Sequence, residues 1–281
     1  MLSYRHAFHA GNHADVLKHL VEIALLRYLN QKNKPYWYID THAGAGVYSL
    51  DSEYASKNAE YESGIARLWE RDDLPALVAD YVDVVRRLNP DGTLKLYPGS
   101  PYCADQVLRE DDKLRLFELH PTDSVHLIDN FRGRSKRALI KAEDGFAGIK
   151  AFLPPAPRRA LTLIDPPYED KRDYQRVVDM LKDSLERFAT GTYAVWYPML
   201  ARKDSKELPE KLKKLPAKGW LHVALQVQSP AQDGFGMHGS GMFILNPPYT
   251  LHDELKVIMP WLTQVLAQDK GAKFILEQQA S

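Results

Sequence analysis

The sequence predicts an α/β protein built on a doubly wound, mostly parallel sheet. Three short strand-forming segments each end in an acidic residue, namely Asp40, Glu118 and Asp165. Predicted helices separate these segments, and parallel strands need such crossovers. Two further predicted strands, at about 222–227 and 241–245, have no long helix between them. This spacing predicts an antiparallel hairpin at the edge of the sheet.

The composition limits the possible classes of protein. The 281 residues suffice for one large α/β domain or two small ones. Hydrophobic residues make up 44% and charged residues 26%, which is typical of a globular protein rather than of a disordered or membrane protein. No secretory signal or membrane span is evident. Cys103 is the only cysteine, which excludes an intrachain disulfide, and we expect a cytoplasmic protein.

The balance of charges argues against a generally basic surface. The chain has 37 basic and 37 acidic residues, and its formal net charge is zero. Nucleic-acid-binding domains usually show a basic excess. Binding to a nucleic acid would therefore need a local patch, for which the runs 132–137 and 158–159 are candidates. Solvated surface charge is the alternative interpretation of both runs.

The N-terminal segment is rich in side chains that titrate or donate hydrogen bonds. Gly11 and Asn12 are suited to end an irregular tail of about 12 residues and to cap a helix over about 14–31. This break argues against a metal site formed by histidines on one helix face, so we expect no metal. Lys18 and His19 fall in the early turns of the helix. We expect Tyr4 and His6, beyond the glycine, to close over an occupied site.

A cofactor loop is predicted after the first strand. The aromatic run 36–39 ends at Asp40 and is followed by small residues with Gly44 and Gly46. The dinucleotide pattern requires a third glycine, but that position is Ser49, which argues against a nicotinamide-dependent reductase. An acid followed by Gly-x-Gly resembles the cofactor loop of S-adenosylmethionine-dependent methyltransferases.

The alternation of strands and helices lapses over about 52–96. Two helices are predicted there, at 60–70 and 75–88, and the second has a proline in its first turn. Asn89-Pro90-Asp91-Gly92 then forms a turn. We expect a helical insertion within a single domain that covers residues 1–281.

The alternation resumes with three further candidates for ligand binding. Ser100 follows a tight turn and could cap a helix or contact a ligand. Glu118 ends a strand, where an acid can accept hydrogen bonds from ribose hydroxyls. Asp144 and Gly145 leave the next strand, and an acid at that point could accept a hydrogen bond from an adenine amino group. Bare surface charge is the alternative interpretation of Glu118.

The segment Asp165-Pro166-Pro167-Tyr168 is predicted to carry the chemistry. Its prolines remove two backbone donors and end the preceding strand, 161–164, so Asp165 lies at the sheet edge where α/β proteins bind ligands. The segment resembles the catalytic motif of methyltransferases that act on exocyclic amino nitrogens, above all adenine N6. A carboxylate and a backbone carbonyl accepting both N–H bonds would free the delocalised lone pair of that nitrogen. Tyr168 could stack on a base that has left its helix.

A second segment, Asn246-Pro247-Pro248-Tyr249, also fits this pattern, in which Asn can replace Asp. We favour Asp165 because its strand follows three others that carry cofactor-type acids. Asn246, in contrast, leaves what the pattern predicts to be the last strand.

Taken together, these motifs resemble the RlmJ family of bacterial 23S ribosomal RNA adenine-N6 methyltransferases over nearly the whole chain. The resemblance is carried by the segments 4–12, 40–46, 97–101, 117–121, 143–145 and 165–168. It implies a monomeric Rossmann-like enzyme with a seven-stranded sheet, an antiparallel edge hairpin and an inserted helical subdomain. It also implies S-adenosyl-L-methionine as cofactor and 23S rRNA, free or early in assembly, as substrate.

The resemblance also implies roles for individual residues. It places Asp165 as the acceptor of the amino proton. The residues that it places against the cofactor are His19, His42, Ser100, Glu118, Asp144 and Gly145. We add Lys18, Asp40 and Gly44 to the cofactor site, and Pro166, Tyr168, Tyr4 and His6 to the catalytic site. A DNA adenine methyltransferase and a non-enzymatic binding module for the cofactor remain as alternatives.

Overall fold

The computed structural model describes residues 6–51, 59–133 and 136–280. The α-helices of these ranges are α1 (His13–Asn30), α2 (Ala66–Trp69), α3 (Ala76–Leu88), α4 (Ser100–Val107), α5 (Pro121–Phe131), α6 (Gly145–Gly148), α7 (Arg172–Arg187), α8 (Lys203–Leu212) and α9 (Leu251–Leu266). The strands are β1 (Trp37–Asp40), β2 (Val47–Ser49), β3 (Leu96–Pro98), β4 (Lys113–Phe117), β5 (Ala138–Lys141), β6 (Ala160–Ile164), β7 (Thr192–Met199), β8 (Trp220–Gln226), β9 (Gly239–Leu245) and β10 (Lys273–Gln279).

Within the described ranges, one large sheet has the strand order β10-β8-β9-β7-β6-β1-β4-β5. The five strands β7, β6, β1, β4 and β5 are parallel to one another. The strands β9, β8 and β10 continue the sheet from β7 in antiparallel pairs. The predicted mostly parallel sheet with an antiparallel edge is therefore confirmed. The expected number of seven strands is corrected to eight, because β10 extends the sheet beyond β8.

The additional strand also corrects the prediction that residues 241–245 form the last strand. Helix α9 follows β9 and returns the chain so that β10 pairs with β8 along its full length, from Lys273 opposite Gln226 to Gln279 opposite Trp220. Most side chains of β10 are exposed or half-buried, because this strand forms the sheet edge. Its sequence therefore lacks the apolar character that identified the central strands.

The register of the parallel strands brings the three predicted acids to one edge. Asp40, the last residue of β1, pairs with Leu116 on one side and with Leu163 on the other. Glu118 and Asp165 each follow two residues after those partners. The carboxyl ends of three neighbouring strands thus present acidic residues at the same edge of the sheet.

Two apolar clusters cover the two faces of the sheet and form its core. One contains the buried faces of α1, α3 and α9 together with Tyr38 and Leu163. The other contains the buried faces of α7 and α8 together with Ile39 and Ile164. Since neighbouring residues of a strand point to opposite faces, β1 and β6 contribute to both clusters. The result is a three-layer α/β/α arrangement.

The predicted cap at the start of α1 is confirmed. The Asn12 side chain accepts hydrogen bonds from the backbone N–H groups of Ala14 and Asp15, at 2.9 and 3.1 Å. Gly11 precedes it with φ +79°, a conformation that favours glycine. Helix α1 then begins one residue earlier than predicted and buries 14 of its 18 residues.

The first of the two helices predicted between residues 52 and 96 is broken. A 3₁₀ turn (Glu60–Ser63) is followed by the four-residue helix α2, whereas α3 matches the second prediction. Gly64 separates the two parts, and a Cβ there would lie 2.0 Å from the Gly11 carbonyl oxygen. Ile65 N–H donates to that same oxygen at 2.8 Å. The close approach of residue 11 therefore interrupts the helix, and the domain division stays a prediction. Residues 52–58 lie outside the described ranges.

None of the helices that the structure describes combines the length and the apolar character needed to cross a membrane.

Candidate cofactor and substrate site

A cavity of about 550 Å³ opens at the carboxyl edge of the sheet. This volume lies within the usual range for small-molecule sites. Its walls come from the tail, the start of α1, the loops after β1, β4 and β5, and the turn after β6. Ten of the predicted site residues line it: His6, Lys18, His19, His42, Gly44, Ser100, Glu118, Asp144, Gly145 and Asp165.

Glu118 is held in place by the backbone. Its carboxylate accepts hydrogen bonds from the N–H groups of Gly44, at 2.7 Å, and of His120, at 2.6 Å. Burial raises the pKa of Glu118 to about 7, although the two N–H bonds act in the opposite direction. A ligand that donates hydroxyl groups would bind best to the ionised form of this carboxylate.

Asp40 does not line the cavity, which corrects its predicted contact with the cofactor. The residue is fully buried. It accepts hydrogen bonds from Ser100 Oγ at 2.7 Å and from the His42 backbone N–H at 3.1 Å. Burial raises its pKa to about 6. Asp40 therefore positions two cavity residues, Ser100 and His42, and does not itself reach a ligand.

The loops after β1 and β5 pack against each other with no room for side chains between them. A Cβ at Gly145 would lie 2.0 Å from the Thr41 carbonyl oxygen. A second close approach lies within the segment that follows β1. Gly44 has φ +60° there, and a Cβ at this residue would lie 2.1 Å from the Tyr48 hydroxyl oxygen. These two glycines allow the cavity wall to form. Next to them, burial lowers the pKa of His42 to about 3, so its ring is neutral at physiological pH.

Asp144 is fixed by one backbone group and one side chain. Its Oδ1 accepts a hydrogen bond from the Phe146 N–H at 2.9 Å and so caps α6. Its Oδ2 accepts from Arg176, whose guanidinium lies 4.2 Å from the centre of the Phe146 ring. Arg176 was not predicted. It lies 32 residues from Asp144 on an exposed helix face, where the sequence gives no signal for this contact.

A buried chain of charges joins the tail to the predicted catalytic acid. The His6 ring donates through Nε2 to Asp15 Oδ2 at 2.9 Å, and the Gly11 N–H donates to the same oxygen at 2.9 Å. Lys18 Nζ lies 2.9 Å from Asp15 Oδ1 and 2.6 Å from Asp165 Oδ2. Lys18 thus bridges two carboxylates. Asp15 was not among the predicted site residues, because an isolated acid in the first turn of a helix usually only stabilises the N-terminus of that helix.

Opposite charges placed close together determine the protonation states of Lys18 and Asp15. Burial would lower the pKa of Lys18, but attraction to Asp15 and Asp165 outweighs it and holds that pKa well above its usual value. Burial would likewise raise the pKa of Asp15, but His6 and Lys18 hold it well below its usual value. Lys18 and Asp15 are therefore both charged, and each compensates the other's burial.

Tyr168 is buried, which corrects the prediction that its ring is available to stack on a base. The residue is 2% exposed, and its ring packs 4.6 Å from that of Tyr174 between ring centres. Its hydroxyl donates to the Trp196 carbonyl oxygen at 2.8 Å. A left-handed backbone conformation, φ +53°, turns the side chain into the core. Tyr168 thus packs in the core beneath the turn after β6. Pro166, in the same turn, is buried as well.

The second Pro-Pro segment lies at the opposite edge of the sheet. Strand β9 runs antiparallel to β7, so its last residue, Leu245, pairs with Tyr193 near the start of β7. The Asn246 side chain donates to the carbonyl oxygens of Ala189 and Gly191 and accepts from the Lys218 N–H. These bonds connect loops. Asn246 does not line the cavity that contains Asp165.

The tail is described from His6 onward, and Tyr4 lies outside the described residues. His6 lines the cavity, with its ring centre 5.1 Å from that of Tyr48. His9 Nδ1 lies 2.9 Å from Glu60 Oε1. Closure of the tail over an occupied site stays a prediction.

The Rossmann-like sheet, the glycine-containing loop after β1 and the acids at the next strand ends define the class of S-adenosylmethionine-dependent methyltransferases. The residues of the cavity fit this cofactor, because the Glu118 carboxylate would accept hydrogen bonds from ribose hydroxyls and the Asp144 carboxylate would accept one from an adenine amino group.

Comparisons with known proteins identify the family. The model of the family described as "Ribosomal RNA large subunit methyltransferase D, RlmJ" matches residues 33–276. The chain is 49% identical over 262 residues to ribosomal RNA large subunit methyltransferase J of Escherichia coli K12, covering 93% of both chains. It is 45% identical over 278 residues to the Haemophilus influenzae protein of the same name, covering 99% of this chain and 98% of that one. A crystal structure of a Legionella pneumophila protein superposes with a TM-score of 0.87 at 37% identity, covering 96% and 98% of the two chains.

The chain belongs to the RlmJ family of ribosomal RNA large subunit methyltransferases. The family resemblance, the enzyme class and S-adenosyl-L-methionine as cofactor are thereby confirmed.

Proposed function

We propose that this enzyme methylates the N6 amino group of one adenine in 23S rRNA, with Asp165 as the acceptor of the amino proton. The observation that carries the proposal is the position of Asp165. It lies in the same cavity as Glu118 and Asp144, the two acids suited to hold the cofactor's ribose and adenine. The family supports ribosomal RNA as the class of substrate, because both curated relatives are named for it.

The first task of the chain is to bind and orient the cofactor. S-adenosyl-L-methionine supplies an electrophilic methyl group when bound. Glu118 accepts from its ribose hydroxyls and Asp144 from its adenine amino group. His19, His42, Ser100, Lys18 and the backbone at Gly44 and Gly145 complete the binding site. The contacts of these residues with the rest of the protein would hold the bound cofactor in one orientation before the substrate enters.

The second task is to make the adenine amino group nucleophilic. A target base must leave its stack to reach this cavity. Lys18 Nζ donates a hydrogen bond to Asp165 Oδ2. In our proposal, one N–H of the adenine amino group donates to the other oxygen of the Asp165 carboxylate. The Pro166 carbonyl oxygen accepts the second N–H. Both bonds favour tetrahedral geometry at the nitrogen and strengthen as positive charge develops there.

The proton leaves once the methyl group has been transferred. The new N6–C bond forms as the sulfur–methyl bond breaks, and the nitrogen then carries a positive charge. This charge makes the two N–H bonds of the nitrogen acidic, so Asp165 accepts one of these protons without needing to be a strong base. The transfer ends with neutral N6-methyladenine.

The substrate is tested by incubating the protein and methyl-labelled S-adenosyl-L-methionine with three acceptors: protein-free ribosomal RNA, intact ribosomal subunits and DNA. We expect the label in 23S rRNA, most strongly when the RNA is free of protein, and in N6-methyladenosine after digestion to nucleosides. Asp165→Ala serves as the inactive control. Sedimentation at assay concentrations checks the proposed monomer.

Other outcomes would replace the proposal. Label in DNA alone would indicate a DNA adenine methyltransferase. Label in another RNA nucleoside would retain the substrate class and reject the proposed chemistry. Cofactor binding without transfer to any of the three acceptors would indicate a binding module that lacks the proposed activity.

A further inference from the structure

A loop at the edge of the sheet that carries the cavity presents an aromatic side chain to solvent. Residues 228–238 connect β8 to β9. The first residue of β9, Gly239, pairs with Met199 at the carboxyl end of β7. The N–H of His238 also donates to the Met199 carbonyl oxygen at 3.1 Å. The loop therefore lies at the same edge of the sheet as Asp165.

Phe235 stands at the exposed part of this loop. It is 80% exposed, although a phenyl ring favours burial. The glycines on either side have φ values of +74° and +85°. The Phe235 N–H donates to Asp233 Oδ1 at 3.0 Å, and the Gly234 N–H donates to the Ala231 carbonyl oxygen at 2.9 Å. The local hydrogen bonds thus shape a turn that holds the ring outward.

The loop passes close to the segment that supports the catalytic turn. A Cβ at Gly234 would lie 3.6 Å from the Ala201 side chain. The next residue, Arg202, donates to the Tyr168 carbonyl oxygen at 2.6 Å and to the Tyr174 hydroxyl at 3.1 Å. The segment 201–202 is therefore bonded to the turn that carries Asp165 and lies close to the loop that carries Phe235.

Positive charge flanks the base of the loop. Lys206 and Lys273 are exposed. Lys273 pairs with Gln226, the last residue of β8 before the loop, and Lys206 lies in the first turn of α8, which follows β7. Burial lowers the pKa of His238 at the end of the loop, and the two lysines add to that effect. Lysines bind the phosphates of single-stranded RNA, and aromatic rings stack on its bases. The loop and the two lysines lie at the same edge of the sheet as the cavity.

We propose that residues 228–238 form a second contact surface for the RNA, in which Phe235 stacks on an unpaired base beside the target adenine and Lys206 and Lys273 bind backbone phosphates. This inference rests on the proposed function and specifies how its substrate is held. Stacking on a neighbouring base would stabilise the splayed strand that base flipping requires.

The test compares Phe235→Ala with a matched control, Tyr249→Ala. Tyr249 is also 80% exposed, but it follows β9 at the opposite edge of the sheet. We expect Phe235→Ala to lower kcat/KM for protein-free ribosomal RNA by about 5- to 150-fold, the range for loss of one stacked base. Calorimetry should show unchanged affinity for S-adenosyl-L-methionine. Phe235→Trp should retain the wild-type rate, and Tyr249→Ala should do the same.

The lysines offer an independent check. Lys206→Ala and Lys273→Ala should each weaken RNA binding and make it less dependent on salt concentration, since each phosphate contact contributes to that dependence. Truncation of a side chain on the protein surface leaves no cavity in the core, so these variants and Phe235→Ala should unfold at the wild-type temperature.

Equal kcat/KM for Phe235→Ala and Tyr249→Ala on protein-free RNA would overturn the proposal. So would a defect of Phe235→Ala that occurs only with intact subunits, because the loop would then contact a ribosomal protein. Failure of the proposed function gives a different result. In that case the wild type forms no N6-methyladenosine, while RNA binding by Phe235→Ala and the wild type can still be compared directly.

Discussion

The two Pro-Pro segments share a sequence pattern but have different surroundings. Asp165 follows a parallel strand, lines the cavity and is bonded to the side chain of Lys18. Asn246 follows an antiparallel strand at the other edge, where its side chain is bonded to backbone groups of neighbouring loops. The direction of the strand decides which segment reaches the cavity. A motif of four residues therefore acquires its chemistry from the sheet edge at which it lies.

The largest effect is expected when the Asp165 and Asn246 side chains are each removed in a separate variant. Asp165→Ala should lower the rate of single-turnover methyl transfer by about 10²- to 10³-fold, because the lost interaction acts mainly in the transition state. Asn246→Ala should leave the rate unchanged and lower the free energy of unfolding by about 1–3 kcal/mol, through loss of its hydrogen bonds. Transfer assays at saturating cofactor and thermal unfolding measure both quantities. A near-normal rate for Asp165→Ala with a loss for Asn246→Ala would reverse the comparison.

A smaller effect is expected at Glu118, which tests whether the cavity beside Asp165 is the cofactor site. The carboxylate is the form that accepts ribose hydroxyls, and with a pKa of about 7 it is populated above neutral pH. Affinity for S-adenosyl-L-methionine should therefore weaken as the pH falls below about 7. Glu118→Gln should weaken affinity at pH 8 by about 1–3 kcal/mol and remove most of this pH dependence.

Calorimetry at pH 6, 7 and 8 separates the possible outcomes for Glu118. Wild-type affinity in a folded Glu118→Gln variant at pH 8 would exclude this carboxylate from the cofactor site. Asn246→Ala, which alters the opposite edge, serves as the control and should bind the cofactor as the wild type does.

The smallest effect is expected at Tyr168, which shares its segment with Asp165 but is buried. Tyr168→Phe removes the hydrogen bond to the Trp196 carbonyl oxygen and should lower the free energy of unfolding by about 1 kcal/mol. KM for the RNA should not change, because the ring faces the core. Steady-state kinetics with ribosomal RNA measures this, and a raised KM would indicate that the side chain contacts the substrate after all.

Much of the candidate site could be predicted because its signals are local. An apolar run followed by Asp40, Glu118 or Asp165 encodes a strand with an acid at its end. Gly11 and Asn12 encode the start of α1 through backbone conformation and capping. Such features depend on residues close together in the chain, so the sequence determined the central strands, the sheet edge that carries the acids and the class of enzyme.

The tertiary structure decided the contacts between distant residues. Lys18 reaches Asp165 across 147 positions, and Arg176 reaches Asp144 across 32. The same packing buries Tyr168 and Asp40 and adds β10 to the sheet. These outcomes depend on the direction and register of neighbouring strands. No periodicity or local motif specifies them, because they arise only when the layers of the fold pack together.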